Sequence, residues 1–82
     1  MQIEWIDTFL DLLDTRSFNK SAERLNITQS TVSARINALE SQIGKKLFVR
    51  SRAGTELTAA GIAFEAHARG LRHSWSEALR IT

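Results

Sequence analysis

The stretch that decides the fold is residues 17–43, which read SFNKSAERLNITQSTVSARINALESQI. It predicts two helices separated by a short turn at residues 26–28, because Asn tolerates the left-handed conformation that ends a helix and Thr caps the next one. The first helix begins near Ser17 or Asn19, either of which can cap it. The second covers about residues 29–43, before a Gly. Two short helices joined in this way predict a helix-turn-helix.

The two sides of the second helix differ in character. One side has the apolar spacing of a buried helical face, whereas the side turned away from it carries no long charged side chain. The apolar positions are Val32, Ile36, Leu39 and Ile43. The rest of the surface includes five residues that we predict to contact the bases of DNA, namely Gln29, Ser30, Ser33, Ala34 and Asn37.

A DNA groove offers one explanation for these small residues. The major groove is about 12 Å wide and admits a helix most easily when the inserted side chains are short. Gln29 could pair with an adenine edge, and the methyl group of Ala34 could touch a thymine methyl. The simpler explanation is that Ser and Ala are tolerated on any helix surface. Ser30, Ser33 and Ser41 on this side lower helix propensity without a packing return, however, which favours a functional role.

Groups suited to phosphate binding surround this surface. The N-terminus of the second helix offers free backbone N–H groups, and cations follow the helix and continue into the next segment. Arg52 lies at the tip of that segment, where an Arg can enter a narrow minor groove. The predicted backbone contacts are Ser17, Asn19, Lys20, Thr28, Thr31, Arg35, Lys45, Lys46 and Arg50.

The charges are unevenly distributed along the chain. Residues 1–14 hold four acids and no base, whereas residues 16–54 hold eight bases and two acids, within a net charge of +2. Such an asymmetry suits a polyanion-binding surface. By itself it is explained better by an ordinary solvated surface.

The remaining segments complete a winged helix-turn-helix. Residues 3–13 have the periodicity of an amphipathic helix. Leu47, Val49 and Leu57 indicate two short strands around a polar turn, and Thr58 can cap a last helix that continues to near the C-terminus. The predicted fold is therefore mainly α, with a two-stranded β wing and a long C-terminal linker helix. The predicted division is a DNA-binding domain at residues 1–57 and a linker helix at residues 58–82.

The last helix carries an apolar seam with coiled-coil spacing. Packing on the first helix explains the seam up to Ala68 at least as well as a dimer does. A core of this size has little left to cover Leu71 and Trp75, which favours a dimer contact there. The predicted dimerisation residues are Phe64, Ala68, Leu71, Trp75, Ala78 and Leu79.

Several other classes of function find no support. The chain has no Cys, and no apolar run approaches the roughly 18 residues of a membrane span. His67 and His73 lie on different sides of one helix and cannot share a metal, and no nucleophile elbow or phosphate loop is present. We therefore expect no enzyme, no metal, no cofactor and no membrane partner. A helix-turn-helix that binds protein instead of DNA remains the alternative. The outer face of its second helix would be acidic or apolar.

The sequence also resembles a known family. The matching motifs are Ser17-Phe18, Ala22-Glu23-Arg24-Leu25, Gln29-Ser30, Val32-Ser33, Ile36, Leu39-Glu40, Gly44, Leu47-Phe48 with Arg50, and Leu57-Thr58-x-x-Gly61. In this order they resemble the N-terminal winged helix-turn-helix domain of LysR-type bacterial transcriptional regulators. The match is ungapped and covers essentially the whole chain.

The resemblance implies a homodimer held by the linker helix on a pseudo-palindromic double-stranded operator. It places the second helix of the pair in the major groove and the wing in the adjacent minor groove. It further implies a cytoplasmic, nucleoid-associated bacterial protein. Full-length members carry a C-terminal effector-binding domain, without which no higher oligomer is expected. Since the chain stops at Thr82, it looks like an isolated DNA-binding fragment or a truncation.

Two positions depart from the family pattern. Arg16 stands where Gly usually precedes Ser-Phe, which adds charge and could alter the turn. Ala34 stands where relatives often carry a long polar or basic side chain. The operator preference of such relatives therefore cannot be transferred to this chain.

Overall fold

The computed structural model describes residues 1–81 and consists of four helices and one two-stranded antiparallel sheet. The elements in chain order are α1 (Ile3–Thr15), α2 (Phe18–Leu25), α3 (Gln29–Ile43), β1 (Phe48–Ser51), β2 (Gly54–Leu57) and α4 (Ala59–Ile81). This order confirms the predicted winged helix-turn-helix. The linker helix was predicted to include Thr82, which lies outside the described residues. No helix within residues 1–81 is long and apolar enough to cross a bilayer.

Helix α1 is the centre of the core, since it contacts each of the other three helices. Its fully buried Phe9 lies 5.4 Å, between ring centroids, from Phe48 of the wing and 5.2 Å from Phe64 of α4. Val32 and Leu39 of α3 are also buried, as their spacing predicts. Burying side chains of this size contributes about 1.5–3 kcal/mol each. The core thus fixes the orientation of α3 by its apolar side.

Polar caps set the bounds of the helix pair. Ser17 accepts a hydrogen bond from the backbone N–H of Lys20, and Thr28 accepts one from the N–H of Thr31. Asn26 ends α2 with a φ of 58°, in the left-handed region that Asn tolerates. The predicted break at residues 26–28 is confirmed.

Arg16 also adopts the left-handed conformation, with a φ of 53°. Its Nε donates a 3.0 Å hydrogen bond to the carbonyl oxygen of Leu13, in the last turn of α1. The turn forms without Gly, because the side chain caps the end of the helix and compensates for the less favourable backbone.

The wing is fastened to α3 by one buried carboxylate. Glu40 accepts backbone N–H groups of Leu47 at 2.7 Å and Phe48 at 3.3 Å, and it lies 3.6 Å from the Nζ of Lys46. The chain therefore enters β1 in a fixed position relative to α3. Phe48 faces the core, whereas Val49, one of the residues from which the strand was predicted, is exposed.

Helix α4 begins against the same segment. Thr58 caps it, as predicted, by accepting the N–H of Gly61, and its hydroxyl donates a 2.6 Å hydrogen bond to the carbonyl oxygen of Lys46. A Cβ at Gly61 would overlap the carbonyl oxygen of Leu47. Only Gly lets α4 start so close to the wing.

The structure disagrees with the predicted positions of three residues. Ala68, assigned to the dimer seam, is 0% exposed, because this part of α4 packs on its own core. Phe64 is half-buried, and its ring packs edge-on against Phe9. Ile43, assigned to the core, is 37% exposed and lies at the last residue of α3.

Candidate nucleic-acid interface

The outer face of α3 lies in solvent. Gln29, Ser30, Ala34 and Asn37 are exposed, and Ser33 is half-buried. The core contacts α3 on the opposite side of the helix, so the outer face does not pack against the core. The structure thus brings all five predicted base contacts onto one accessible surface.

The N-terminus of α3 carries a cluster of hydroxyl groups. Thr28 Oγ1 lies 3.0 Å from Ser30 Oγ and 2.8 Å from Thr31 Oγ1. Two of the three hydroxyl hydrogens are used within the cluster, which leaves one to donate outward, next to the backbone N–H groups that every helix leaves unpaired in its first turn. The arrangement suits an anion.

The cations fall into two groups. Arg24 and Arg72 pair with acids of α1, Arg24 with Asp11 at 2.9 Å and Arg72 with Asp7 at 3.0 Å. Acidic α1 is therefore partly neutralised within the protein. By contrast, the side chains of four exposed cations around α3 and the wing make no ion pair with any acid of residues 1–81; these are Lys20, Lys45, Arg50 and Arg52. The unneutralised positive charge lies beside the outer face of α3.

Arg35 does not belong to that second group. It is half-buried, and its Nη1 donates a 3.4 Å hydrogen bond to the hydroxyl of Thr8, which lies inside α1. The guanidinium is turned toward α1. One of its five N–H donors is thereby used within the protein.

Arg50 connects three elements. Its Cζ lies 3.5 Å from the centroid of the Phe18 ring of α2, and its Nη2 donates a 3.0 Å hydrogen bond to the hydroxyl of Ser33 on α3. Strand alternation explains the direction, because Arg50 shares the inward side of β1 with Phe48. The guanidinium thus closes one side of an open groove of about 430 Å³ between α3 and the wing, lined also by Asn37 and Lys46.

The sequence interpretation missed Glu40 as a functional support and missed the contact between Arg50 and Ser33. A signal existed for Glu40, which lies about 80° from Val32 around the helix, next to the apolar stripe. An acid at the edge of a buried face needs donors. Ser33 and Asn37 lie on the same side of α3 as Glu40, and this side faces the wing. No local pattern indicated the stacking of Arg50 on Phe18.

The second half of α4 has a different surface. Leu71 and Trp75 are both 44% exposed, and Leu79 is 56% exposed. Near the start of α1, a shallow depression of about 400 Å³ is lined by Met1, Ile3, Leu71, Ser74, Trp75 and Ala78. The chain's own core therefore leaves this part of the predicted seam uncovered.

Together, the capped helix pair, the wing and the long last helix define a winged helix-turn-helix domain. Residues 3–62 match the model of a family described as bacterial regulatory helix-turn-helix protein, lysR family. The chain belongs to the LysR family.

Individual relatives agree with this assignment. The transcriptional regulator ShiR of Corynebacterium glutamicum is 46% identical over 71 residues, which are 87% of this chain and 24% of ShiR. The crystal structure of a complex of the CbnR DNA-binding domain with DNA superposes with a TM-score of 0.90 at 31% identity, over 95% of this chain and 90% of that one. Vibrio fischeri DarR in complex with DNA gives a TM-score of 0.93 at 32% identity, over 98% of this chain and 27% of DarR. The chain spans about a quarter of the length of the curated relatives it matches.

Proposed function

We propose that the chain binds double-stranded DNA sequence-specifically, as the DNA-binding part of a bacterial transcriptional regulator acting in the cytoplasm. The observation that carries the proposal is the outer face of α3, where short polar side chains are flanked by cations without acid partners. Short groups suit a helix that enters the major groove, and cations at its margins suit phosphates. The DNA complexes of CbnR and DarR support the same assignment.

Base recognition falls to the outer face of α3. Gln29, at the exposed N-terminal end, is suited to the N6 and N7 positions of adenine. Ser30, Ser33 and Asn37 offer single hydrogen bonds to base edges. Ala34 offers only a methyl group, which favours contact with thymine.

Phosphate contacts supply affinity and register. The proposed set combines the N-terminal groups of α2 and α3 with the cations that follow α3, namely Ser17, Asn19, Lys20, Thr28, Thr31, Lys45 and Lys46. Arg52, in the turn of the wing, is proposed to enter the adjacent minor groove. Arg35 is left out because its guanidinium is turned toward Thr8 of α1, and Arg50 is left out because it lies against Phe18 and Ser33.

The second half of α4 is proposed to hold a homodimer. Leu71, Trp75 and Leu79 lie outside the core of the protomer and follow the predicted seam. A second copy of α4 would cover them. A two-fold dimer then presents two copies of α3 to a pseudo-palindromic operator.

The test of DNA binding is a salt series. Affinity for a mixed-sequence duplex and for a site selected from a randomised pool is measured by fluorescence anisotropy between about 50 and 200 mM salt, a range over which phosphate-dependent affinities fall steeply. Binding that weakens linearly in log–log coordinates, with a constant preference for the selected site, is expected. No binding at low salt, or binding that salt leaves unchanged, would refute the proposal.

A further inference from the structure

We propose that Arg50 is a positioning residue for base recognition and that it acts through Ser33 instead of through a phosphate. The inference rests on the proposed DNA binding. It assigns the wing a second task, which is to orient a hydroxyl group on α3.

Three elements meet at the guanidinium of Arg50. Phe18 is buried at the start of α2 and lies 3.5 Å beneath the guanidinium carbon, where cation–π attraction and flat stacking hold the group. From this seat Nη2 reaches the Ser33 oxygen at 3.0 Å. The position of the donor is therefore set by the core and not by the flexible side chain alone.

This contact decides what Ser33 offers to DNA. A hydroxyl has one donor and two acceptor sites and otherwise rotates to suit its surroundings. When its oxygen accepts from Arg50, its hydrogen is directed away from the guanidinium, and Ser33 lines the groove between α3 and the wing. Ser33 is thereby prepared to donate to a base-edge acceptor such as guanine N7 or O6, adenine N7 or thymine O4.

The position of Arg50 argues against a phosphate contact. One face of its guanidinium is covered by Phe18, and one amino group is engaged with Ser33. Arg52, two residues further on, has neither contact and lies in the exposed turn. The two Arg residues of one wing are both exposed, but only Arg50 is held by Phe18 and Ser33, so they form a matched pair.

The experiment compares Arg50→Met, Ser33→Ala and the double variant with Arg52→Met as the control. Each is tested by anisotropy on the selected site, on all its single base-pair substitutions and across the salt series. Arg50→Met and Ser33→Ala should each reduce discrimination at the same base pair by about three- to tenfold, the size of one hydrogen bond. The double variant should lose no more than either single variant. Arg50→Met should leave the salt slope unchanged, while Arg52→Met lowers it by about one and keeps the discrimination.

Contrary results are equally specific. A salt slope lowered by about one in Arg50→Met, with base-pair preferences intact, would make Arg50 a phosphate contact and overturn the inference. Losses of discrimination that add in the double variant would overturn it too. If Arg50→Met fails to fold by circular dichroism, Arg50→Lys replaces it, since it keeps the charge without the planar group and should show the same loss of discrimination. A wild-type chain without DNA binding would refute the proposed function itself, whereas normal binding with an indifferent Arg50 variant refutes this inference alone.

Discussion

Helices α3 and α4 each keep one face outside the core, but the two faces are made of opposite kinds of side chain. The outer face of α3 carries Gln, Ser, Ala and Asn, and the outer face of α4 carries Leu and Trp. A wet, charged groove accepts the first kind, whereas only another apolar surface gains from covering the second. Exposure alone therefore identifies neither site, and the chemistry of the exposed atoms separates them.

The largest effect should come from breaking the junction between α4 and the segment that enters the wing, which Glu40 ties to α3. Gly61→Ala places a Cβ against the backbone carbonyl of Leu47, which cannot move without shifting the wing. We expect the free energy of unfolding to fall by about 3 kcal/mol, at the upper end of overpacking effects. Urea denaturation followed by circular dichroism measures it.

Gly70→Ala is the matched control for that substitution. A Cβ at Gly70 meets nothing within 4 Å, and the residue lies inside α4. Removing a helical Gly there should raise the free energy of unfolding by about 0.5–1 kcal/mol. Equal effects of the two substitutions would show that close packing at Gly61 does not matter.

The apolar face of α4 should respond to a charge. Trp75→Glu places a carboxylate in the proposed dimer contact, and we expect the dimer dissociation constant to rise by about 30-fold or more, corresponding to 2 kcal/mol or more. Sedimentation equilibrium measures the mass. His73→Glu, on another side of the same helix, should leave it unchanged. An unaltered mass for Trp75→Glu would remove the dimer from this face.

The polar face of α3 should respond in selectivity and not in mass. Gln29→Ala should weaken binding to the selected site by about 1–3 kcal/mol and leave binding to random DNA nearly unchanged. Gln42→Ala, exposed near the other end of α3, is the control and should change neither. Equal losses on both kinds of DNA for Gln29→Ala would exclude Gln29 from base recognition.

Smaller losses of stability than that of Gly61→Ala should appear at the caps of α3 and α4. Thr28→Ala removes one cap hydrogen bond of α3 and should lower the free energy of unfolding by about 1 kcal/mol. Thr58→Ala should cost more, about 2 kcal/mol, because its hydroxyl also donates to Lys46. Urea titrations of both variants measure these losses. A larger loss for Thr28→Ala than for Thr58→Ala would contradict the prediction.

Local chemistry explains which features the sequence could predict. The bounds of α3 follow from Thr28 and Gly44, whose effects act within a few residues. The seam of α4 was harder, because the same spacing continues from Ala68, which is buried in the protomer, to Trp75, which is not. Periodicity defines a face but does not say what covers it.

The candidate site also combines features that follow from local sequence with features that depend on the whole fold. Gln29 and Asn37 could be assigned to the outer face of α3 from helical geometry alone, and the structure places them there. The link from Arg50 to Ser33 spans 17 residues and depends on the ring of Phe18, so only the folded chain reveals it. The contacts with DNA themselves stay predictions.

The separation between the two sides of α3 bears on how such a domain changes its target over evolution. Val32, Ile36 and Leu39 anchor the helix from its buried side, so we expect substitutions at Gln29, Ser30 or Ala34 to leave the folded state almost unchanged. New operator preferences can arise there by single mutations without prior stabilisation elsewhere. Ser33 is the exception, because a change there also removes the partner of Arg50, and we expect it to vary together with the wing.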